Sequence, residues 1–136
     1  QILAVLTMDG CLSSELYDKA HQDLCLDRCG LDEIRKKAFY RVTPDYSISM
    51  LHEWRKDCTN IRYLAEATPD TADYINGLLR MHAVDEIILY TVPFISGSGR
   101  HFFKSALPEQ HWTLSSLKSY PNGVCRIIYI LDKKAR

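Results

Sequence analysis

The sequence predicts an α/β fold with three layers: a mostly parallel, mixed sheet flanked by helices, with an antiparallel hairpin at its C-terminal end. Short apolar, β-branched runs alternate with stretches of helical periodicity through most of the chain, which implies parallel strands joined by helices. The last two apolar runs are separated only by a tight turn, so they add antiparallel strands at one edge. Because the 136 residues contain no repeat and no linker-like tract, we expect one domain over residues 1–136.

The first elements are a buried strand, two helices and a short second strand. Residues 2–8 form a continuous apolar run ended by an Asp-Gly turn, which is typical of a buried strand. The spacing of apolar residues predicts a helix over 13–30, closed by a glycine, and a second, charged helix over 31–38. Residues 39–42 are aromatic or β-branched and predict another strand.

The middle of the chain continues the alternation. Helical spacing resumes at Ser47, and residues 60–66 are expected to form the next strand. Thr68 is expected to cap a helix in which Pro69 occupies the first turn. The apolar run over 84–93 is the strongest strand signal in the sequence.

The end of the chain predicts a loop and a hairpin. Residues 96–99 read Ser-Gly-Ser-Gly, which is typical of a connecting loop. Residues 112–117 and 124–131 are strand-like, and the Pro-Asn-Gly sequence over 121–123 is a turn between them. The second strand is too continuously apolar over 127–130 for an edge facing water. It indicates either a homodimer interface or a surface covered by a helix of the same chain.

Composition and charge exclude several classes of function. The chain carries 17 basic and 17 acidic residues, whereas a nucleic-acid-binding protein would normally carry a basic excess. No apolar run reaches the ~18 residues that a membrane-spanning helix needs. The five cysteines are scattered and odd in number, so we expect neither a disulfide framework nor a metal site. Free thiols are typical of a reducing compartment, and we expect a cytoplasmic protein.

Three loops are candidates for a ligand site, because ligands of open α/β sheets bind beyond the carboxyl ends of the strands. They are residues 7–10 after the first strand, 66–69 at a strand-to-helix junction, and 96–100 in the Ser-Gly loop. Each has a structural alternative: Asp9 can serve only the turn, Glu66 can form a surface salt bridge, and the Ser-Gly loop can be a plain connector. The residues alone therefore predict an α/β domain with a candidate anion site.

Two segments resemble a known family. Residues 2–13 are similar to the first strand and loop of the dihydrofolate reductase-like family, in particular the reductase domain of bifunctional riboflavin-biosynthesis proteins. Residues 79–103 resemble the part of that domain that runs through a strand into a glycine-containing loop. The matching residues are Val84, Asp85, Glu86, Pro93, Gly97, Gly99 and Phe103. The Asn-Gly-Val sequence over 122–124 also fits the family.

The resemblance implies an NADPH-dependent reductase of a pterin or a (ribosylamino)pyrimidine-type heterocycle, of the kind used in folate and riboflavin metabolism. Carried over by position, Asp9 and Glu66 are the candidate catalytic residues, with Glu66 orienting or protonating the substrate. The candidate cofactor-binding residues are Val5, Thr7, Ala67, Thr68, Gly97 and Gly99. The hydride chemistry would belong to the cofactor. By the same resemblance we expect a homodimer and a small-molecule substrate. The charge balance and the lack of a long apolar run lead us to expect neither nucleic acid nor membrane as a partner.

Three departures from the family leave a second function open. The family has a Gly-Gly pair where this chain has Ala67-Thr68, at the approach to the cofactor pyrophosphate, and Asp70 adds a negative charge nearby. Cys11 stands where the riboflavin branch has lysine, and the Gly-Arg-x-Thr segment of the family is missing from the sequence. The alternative is therefore a catalytically weakened relative that binds a nucleotide or a metabolite, or that only dimerises.

Overall fold

The computed structural model describes residues 1–12, 30–38, 40–47, 49–51, 53, 63–93, 95, 97, 100–103 and 107–132. The helix predicted over 13–30 lies almost entirely outside these residues, as do residues 96, 98 and 99 of the Ser-Gly loop. Of the helix predicted from Ser47, residues 49–51 and 53 are described, and they are helical.

One six-stranded sheet organises the described part of the chain. In chain order the elements are β1 (Ile2–Leu6), β2 (Cys11–Leu12), α1 (Leu31–Lys37), β3 (Tyr40–Arg41), β4 (Tyr63–Ala67), α2 (Ala72–Arg80), β5 (Glu86–Thr91), β6 (Arg100–His101), β7 (Trp112–Ser119) and β8 (Cys125–Leu131). The strand order of the sheet is β3-β4-β1-β5-β8-β7. The first four strands in this order are parallel neighbours, and β8 and β7 are added antiparallel at one edge. This mixed sheet with its C-terminal hairpin confirms the fold class that the sequence predicts.

Alternate residues of β1 divide the core into two layers. Ile2 and Leu6 belong to a buried cluster that includes Ile75 of α2, and we call this side of the sheet the α2 face. Leu3 belongs to a second cluster that includes Leu31 of α1, and we call that side the α1 face. Because β1 is covered by helices on both faces, all of its residues are buried, and its sequence is continuously apolar.

The helix α2 begins one turn later than the sequence predicts. Its first residue is Ala72 and its N-cap position is Thr71, whereas Thr68 was expected to be the cap. Thr68 instead shapes the preceding turn: its hydroxyl accepts a hydrogen bond from the N–H of Thr71 at 3.3 Å, and its own N–H donates to the Thr71 hydroxyl at 2.8 Å. This reciprocal pair satisfies two backbone donors ahead of the helix, which is the physical task of a cap.

A small second sheet was not predicted. The strands β2 and β6 pair antiparallel, with Cys11 opposite His101 and Leu12 opposite Arg100. Two-residue strands carry too little periodicity to be recognised in a sequence. This pairing joins the loop that follows β1 to the segment that follows β5, so it fixes two of the three candidate loops relative to each other.

The C-terminal hairpin forms where it was predicted, around the turn at 121–123. Ser119 of β7 lies opposite Cys125 of β8. The strand β7 is the edge strand of the sheet, and its Leu114 and Leu117 are 52% and 63% exposed. The sheet therefore ends in an edge with an apolar surface.

Within the described residues, no helix is long and apolar enough to cross a bilayer. Cys11 and Cys125 are the cysteines in this part of the chain, and both are free thiols. The reducing compartment expected from the cysteines stays a prediction.

Candidate functional site

The candidate ligand loops meet at the carboxyl edge of the parallel strands. Leu6, the last residue of β1, is paired with Thr91 of β5, and Ala4 is paired with Ala67 of β4. Because parallel strands end at the same edge, the chain segments that follow β1, β4 and β5 leave the sheet side by side. This is the edge at which the sequence predicts a ligand site.

The loop after β1 is organised around the carboxylate of Asp9. One carboxylate oxygen accepts a hydrogen bond from the hydroxyl of Thr7, and the other accepts one from the N–H of Gly97 at 3.0 Å. The Thr7 hydroxyl in turn accepts a hydrogen bond from the N–H of Cys11 at 3.0 Å. Thr7 is buried whereas Asp9 is only half-buried, so the carboxylate is held by the protein and still reaches solvent.

A buried amide on α2 supports this loop. Asn76 is fully buried, and its Nδ2 donates to the carbonyls of Ala72 and Phe102, each at 2.7 Å. The N–H of Phe102 donates to the carbonyl of Gly10 at 3.1 Å. A hydrogen-bonded path therefore runs from α2 to the loop that carries Asp9. Asn76 was not among the residues expected at the site, although a polar residue within the apolar stripe of a helix is a recognisable signal.

Glu66 of β4 lies on the α1 face in an ion-paired cluster. Its Oε1 is 2.6 Å from Nε of Arg35 on α1, and its Oε2 is 3.8 Å from Nη1 of Arg41 on β3. A charge-assisted hydrogen bond of this length fixes the position of the carboxylate. The side chain of Glu66 keeps 27% of its surface exposed. The salt bridge that the sequence left open is therefore present, and the carboxylate is still accessible from solvent.

The junction between β4 and α2 carries Ala67 and Thr68, which the sequence resemblance aligns with a glycine pair. Ala67 is 3% exposed and belongs to the α2-face core with Leu6 and Ala72. Its Cβ therefore points into the core and takes no space from a ligand at the sheet edge. Thr68 is half-buried, and its backbone and hydroxyl are bonded to Thr71.

Three of the residues that the sequence proposes for the site come together. Thr7, Asp9 and Gly97 share hydrogen bonds, although Gly97 is 88 residues from Asp9 in the sequence. Val5 is buried in the α1-face core, so its side chain packs there. Gly99 lies outside the described residues.

A thiol and an imidazole lie beside the Asp9 loop. Cys11 Sγ is 3.8 Å from Nδ1 of His101 and 4.0 Å from the carbonyl oxygen of Asp9. Cys11 is buried and His101 is exposed. Cys11 stands where the resemblance implies a lysine, and His101 becomes its neighbour only through the β2–β6 pairing, which local sequence patterns do not report.

The strand order of the six-stranded sheet identifies the fold of this chain. A parallel β3-β4-β1-β5 core that carries an antiparallel β8-β7 hairpin at one edge is a dihydrofolate reductase-like fold, and solved structures connected with riboflavin biosynthesis share it. The fold that the sequence resemblance implies is therefore confirmed.

Three solved structures are similar to this chain. A protein from Shewanella sp. PV-4 assigned to riboflavin biosynthesis aligns over 97% of this chain and 98% of its own, with a TM-score of 0.63 and 12% identity. Riboflavin biosynthesis reductase Rib7 of Saccharomyces cerevisiae aligns over 97% of this chain and 87% of its own, with a TM-score of 0.50 and 16% identity. RibD of Acinetobacter baumannii aligns over 96% of this chain, which spans 57% of RibD, with a TM-score of 0.51 and 11% identity. No protein-family profile and no curated protein sequence matches the chain.

Proposed function

We propose that this chain is an NADPH-dependent reductase of a pterin or (ribosylamino)pyrimidine-type heterocycle. The observation that carries the proposal is the Asp9 loop at the carboxyl edge of a dihydrofolate reductase-like sheet, where Asp9 is bonded to Thr7 and Gly97. In α/β sheets of this type, this edge is where a nucleotide cofactor and its substrate bind. The fold likeness to a riboflavin biosynthesis reductase supports the same reaction class.

The residues at this edge fit NADPH. Since the Cβ of Ala67 lies in the core, the alanine does not block the approach of a pyrophosphate to the backbone. The Thr68 hydroxyl and the N–H groups of the first turn of α2 are the donors that would hold the pyrophosphate. The exposed carboxylate of Asp70 opposes this binding. When bound, the cofactor would supply the hydride.

The chain's own groups would orient the heterocycle and supply a proton. In this proposal the Glu66 carboxylate takes up a proton from solvent and delivers it to a ring nitrogen of the heterocycle, which balances the hydride that the ring gains. Arg35 keeps that carboxylate in place through its contact of 2.6 Å. Asp9 fixes the loop that borders the reacting ring, because it joins Thr7 to Gly97.

The test is oxidation of NADPH, followed by absorbance, with oxidised pterins and pyrimidine-type heterocycles as substrates. Glu66→Gln is expected to lower kcat by about a hundredfold, because it removes the proton-holding group. Its NADPH affinity is expected to stay at the wild-type value. Glu109→Gln is the matched control: Glu109 is an exposed carboxylate that precedes β7 at the opposite edge of the sheet. Failure of every heterocycle to oxidise NADPH, or equal losses in both variants, would contradict the proposal.

A nucleotide- or metabolite-binding protein without reductase activity is the second candidate. This candidate is favoured because the groups that would contact a substrate or a cofactor already have partners within the protein. Glu66 is paired with Arg35, and the N–H groups of Thr68 and Thr71 are hydrogen-bonded within their own turn. The double variant Ala67→Gly/Thr68→Gly separates the two functions. If the chain is a reductase, the native Ala67-Thr68 junction contacts the cofactor, and the double variant is expected to weaken NADPH binding. If the variant creates or strengthens that binding, the second candidate is supported.

We also propose that a second copy of the chain covers the C-terminal hairpin. Leu117 is paired with Ile127, which is paired with Leu89 of the α2-face layer. Leu114 is paired with Tyr129, so these residues form one apolar surface, which we call the hairpin patch. Exposed apolar patches of this kind are typical of protein interfaces. Sedimentation at micromolar concentration tests the proposal, and a monomer would contradict it.

A further inference from the structure

Asn76 is a polar residue on the buried face of α2. It is fully buried, and the neighbouring Ala72, Ile75 and Leu79 of the helix belong to the α2-face core. Asparagine is a poor helix former, and a buried amide needs hydrogen bonds that replace those it makes with water. Since an apolar residue is the usual occupant of such a helix stripe, the amide at this position indicates a task beyond packing.

The amide of Asn76 joins two parts of the chain that lie far apart in sequence. Its Nδ2 donates to the carbonyl of Ala72, in the first turn of α2, and to the carbonyl of Phe102, which directly follows β6. Both distances are 2.7 Å, and Phe102 is fully buried. The two protons of one amide group are therefore shared between the helix and the segment after β6. One short side chain thus fixes the distance between these two segments.

The segment after β6 in turn holds the Asp9 loop. The N–H of Phe102 donates to the carbonyl of Gly10 at 3.1 Å. The N–H of Gly10 donates to the carbonyl of Thr7 at 3.0 Å, and the Thr7 hydroxyl donates to the carboxylate of Asp9. Phe102 therefore bonds the loop through its N–H and Asn76 through its carbonyl. A movement of Phe102 away from α2 would also displace the loop.

The first turn of α2 and the Asp9 loop are the two halves of the proposed reductase site, on which the catalytic part of this inference rests. In that function the turn holds the pyrophosphate of the cofactor, and the loop borders the heterocycle. The two reacting atoms must approach to about 3–3.5 Å, and a misplacement of about 1 Å can lower the rate about a hundredfold. A group that fixes the distance between the two halves therefore influences the rate without contacting either reactant.

We propose that Asn76 is a positioning residue, which keeps the Asp9 loop in register with the first turn of α2 through the backbone of Phe102. Because its side chain is fully buried, it acts on a ligand through these backbone groups. The positioning is a property of the protein without ligands, so it can be measured whether or not the chain is a reductase. Its effect on catalysis is a separate measurement.

Amide hydrogen exchange, followed by NMR in the protein without ligands, tests the positioning. The N–H of Phe102 reports on the segment after β6, and the N–H of Cys11, which donates to the Thr7 hydroxyl, reports on the Asp9 loop. The N–H of Val92, which donates to a carbonyl of β1, is the reference within the sheet. Asn76→Leu keeps the branched shape but has no donor. We expect it to speed exchange at Phe102 and Cys11 at least about tenfold more than at Val92.

A variant of the same helix separates positioning from stability. Leu79→Ala is the matched control, because Leu79 is buried in the same core and has no polar group to join the hydrogen-bonded path. It is expected to speed exchange at Phe102, Cys11 and Val92 by similar factors. Equal factors at the three amides in Asn76→Leu as well would overturn the proposal.

Asn76→Ser keeps the experiment decisive if Asn76→Leu does not fold. A serine hydroxyl on a helix bonds to the carbonyl four residues earlier, here that of Ala72, and is too short to reach Phe102 as well. This variant therefore retains the contact within the helix and loses the contact with the segment after β6. We expect the same selective increase in exchange at Phe102, and its absence would overturn the proposal.

Steady-state kinetics tests the effect on catalysis. We expect Asn76→Leu to lower kcat about tenfold, while the dissociation constant for NADPH changes by less than about threefold, since the donors of the α2 turn stay in place. Leu79→Ala, assayed at a temperature at which it is folded, is expected to keep the wild-type kcat. Equal kcat losses in the two variants, or an unchanged kcat in Asn76→Leu, would overturn the catalytic effect. If the wild type oxidises NADPH with no heterocycle, the proposed function fails, whereas the exchange experiment still decides the positioning.

Discussion

Tyr74 of α2 donates its hydroxyl to the carbonyl of Tyr46 at 2.6 Å. Burial raises the pKa of Tyr74 above its ordinary value of 10.0, because the phenolate would lose hydration. The hydrogen bond ties the helix to the segment that follows β3. Folding and the ionisation of this residue are therefore coupled.

From this coupling we expect the free energy of unfolding to fall as the pH rises above about 10. In that range the tyrosine of the unfolded chain loses its proton while folded Tyr74 keeps it, so alkaline pH favours the unfolded state. Tyr74→Phe lacks this titration and one hydrogen bond, so it is less stable than the wild type by about 1 kcal/mol at neutral pH. Urea denaturation at about pH 8 and about pH 11 measures the difference in the free energy of unfolding between the two proteins. This difference is expected to be smaller at the higher pH. A difference that stays constant with pH would contradict the coupling.

The candidate residues could be found in the sequence one at a time, but their partners could not. Asp9 stands in a recognisable Asp-Gly turn, and Glu66 stands at the end of a strand-like run. Their contacts with Gly97 and Arg35 join residues that are 88 and 31 positions apart. Periodicity and turn rules describe local structure, so they do not report pairs of this kind.

Asn76 connects the helix α2 to the loops of the site. Asn76→Ala leaves the carbonyl of Phe102 without its donor and opens a small cavity. We expect this variant to lower the free energy of unfolding by about 2 kcal/mol. Asp73→Ala changes an exposed residue in the first turn of the same helix and is expected to cost less than about 1 kcal/mol. Urea denaturation compares the two, and equal losses would show that the buried amide does not stabilise the fold.

The elements that the sequence predicts well are those with long apolar runs. The strands β1, β5 and β8 have five to seven residues and appear inside their predicted ranges. The strands β2 and β6 have two residues each, and their pairing depends on contacts between distant segments. The start of α2 was misplaced because Thr68 and Thr71 are both good caps, and only the backbone conformation decides between them.

The assembly of the whole molecule depends on the hairpin patch. Leu117→Lys places a charge in this apolar surface and is expected to convert a dimer into monomers. Thr113→Lys changes an exposed residue of the same strand that is paired with Ile130, on the α1 face, and is expected to leave the dimer intact. Sedimentation velocity measures the assembly of all three proteins. A Leu117→Lys variant that sediments as the wild type does would contradict the proposed interface.

The fold of the whole molecule could be predicted from the sequence, whereas its function could be reached only as a proposal. The alternation of apolar runs with helical periodicity determines the layered arrangement of sheet and helices. A sheet of this type tolerates great sequence divergence, since the similar structures are 11% to 16% identical to this chain. Function resides in a few side chains at the sheet edge, and the same fold can carry different ones. The sequence resemblance aligns Ala67-Thr68 with a glycine pair, and a difference of two residues at the sheet edge can change ligand binding without changing the strand order.

The most direct test of the central claim is calorimetric titration of the purified protein with NADPH, with NADH as the comparison. We predict that NADPH binds with a dissociation constant in the micromolar range, a binding free energy of about 8 kcal/mol, and more tightly than NADH does. That result would support a reductase site at the carboxyl edge and justify the search for its heterocycle. The claim would be contradicted if NADPH did not bind at about millimolar concentration, which corresponds to a binding free energy weaker than ~4 kcal/mol. The junction at Ala67-Thr68 would then be unable to bind the cofactor.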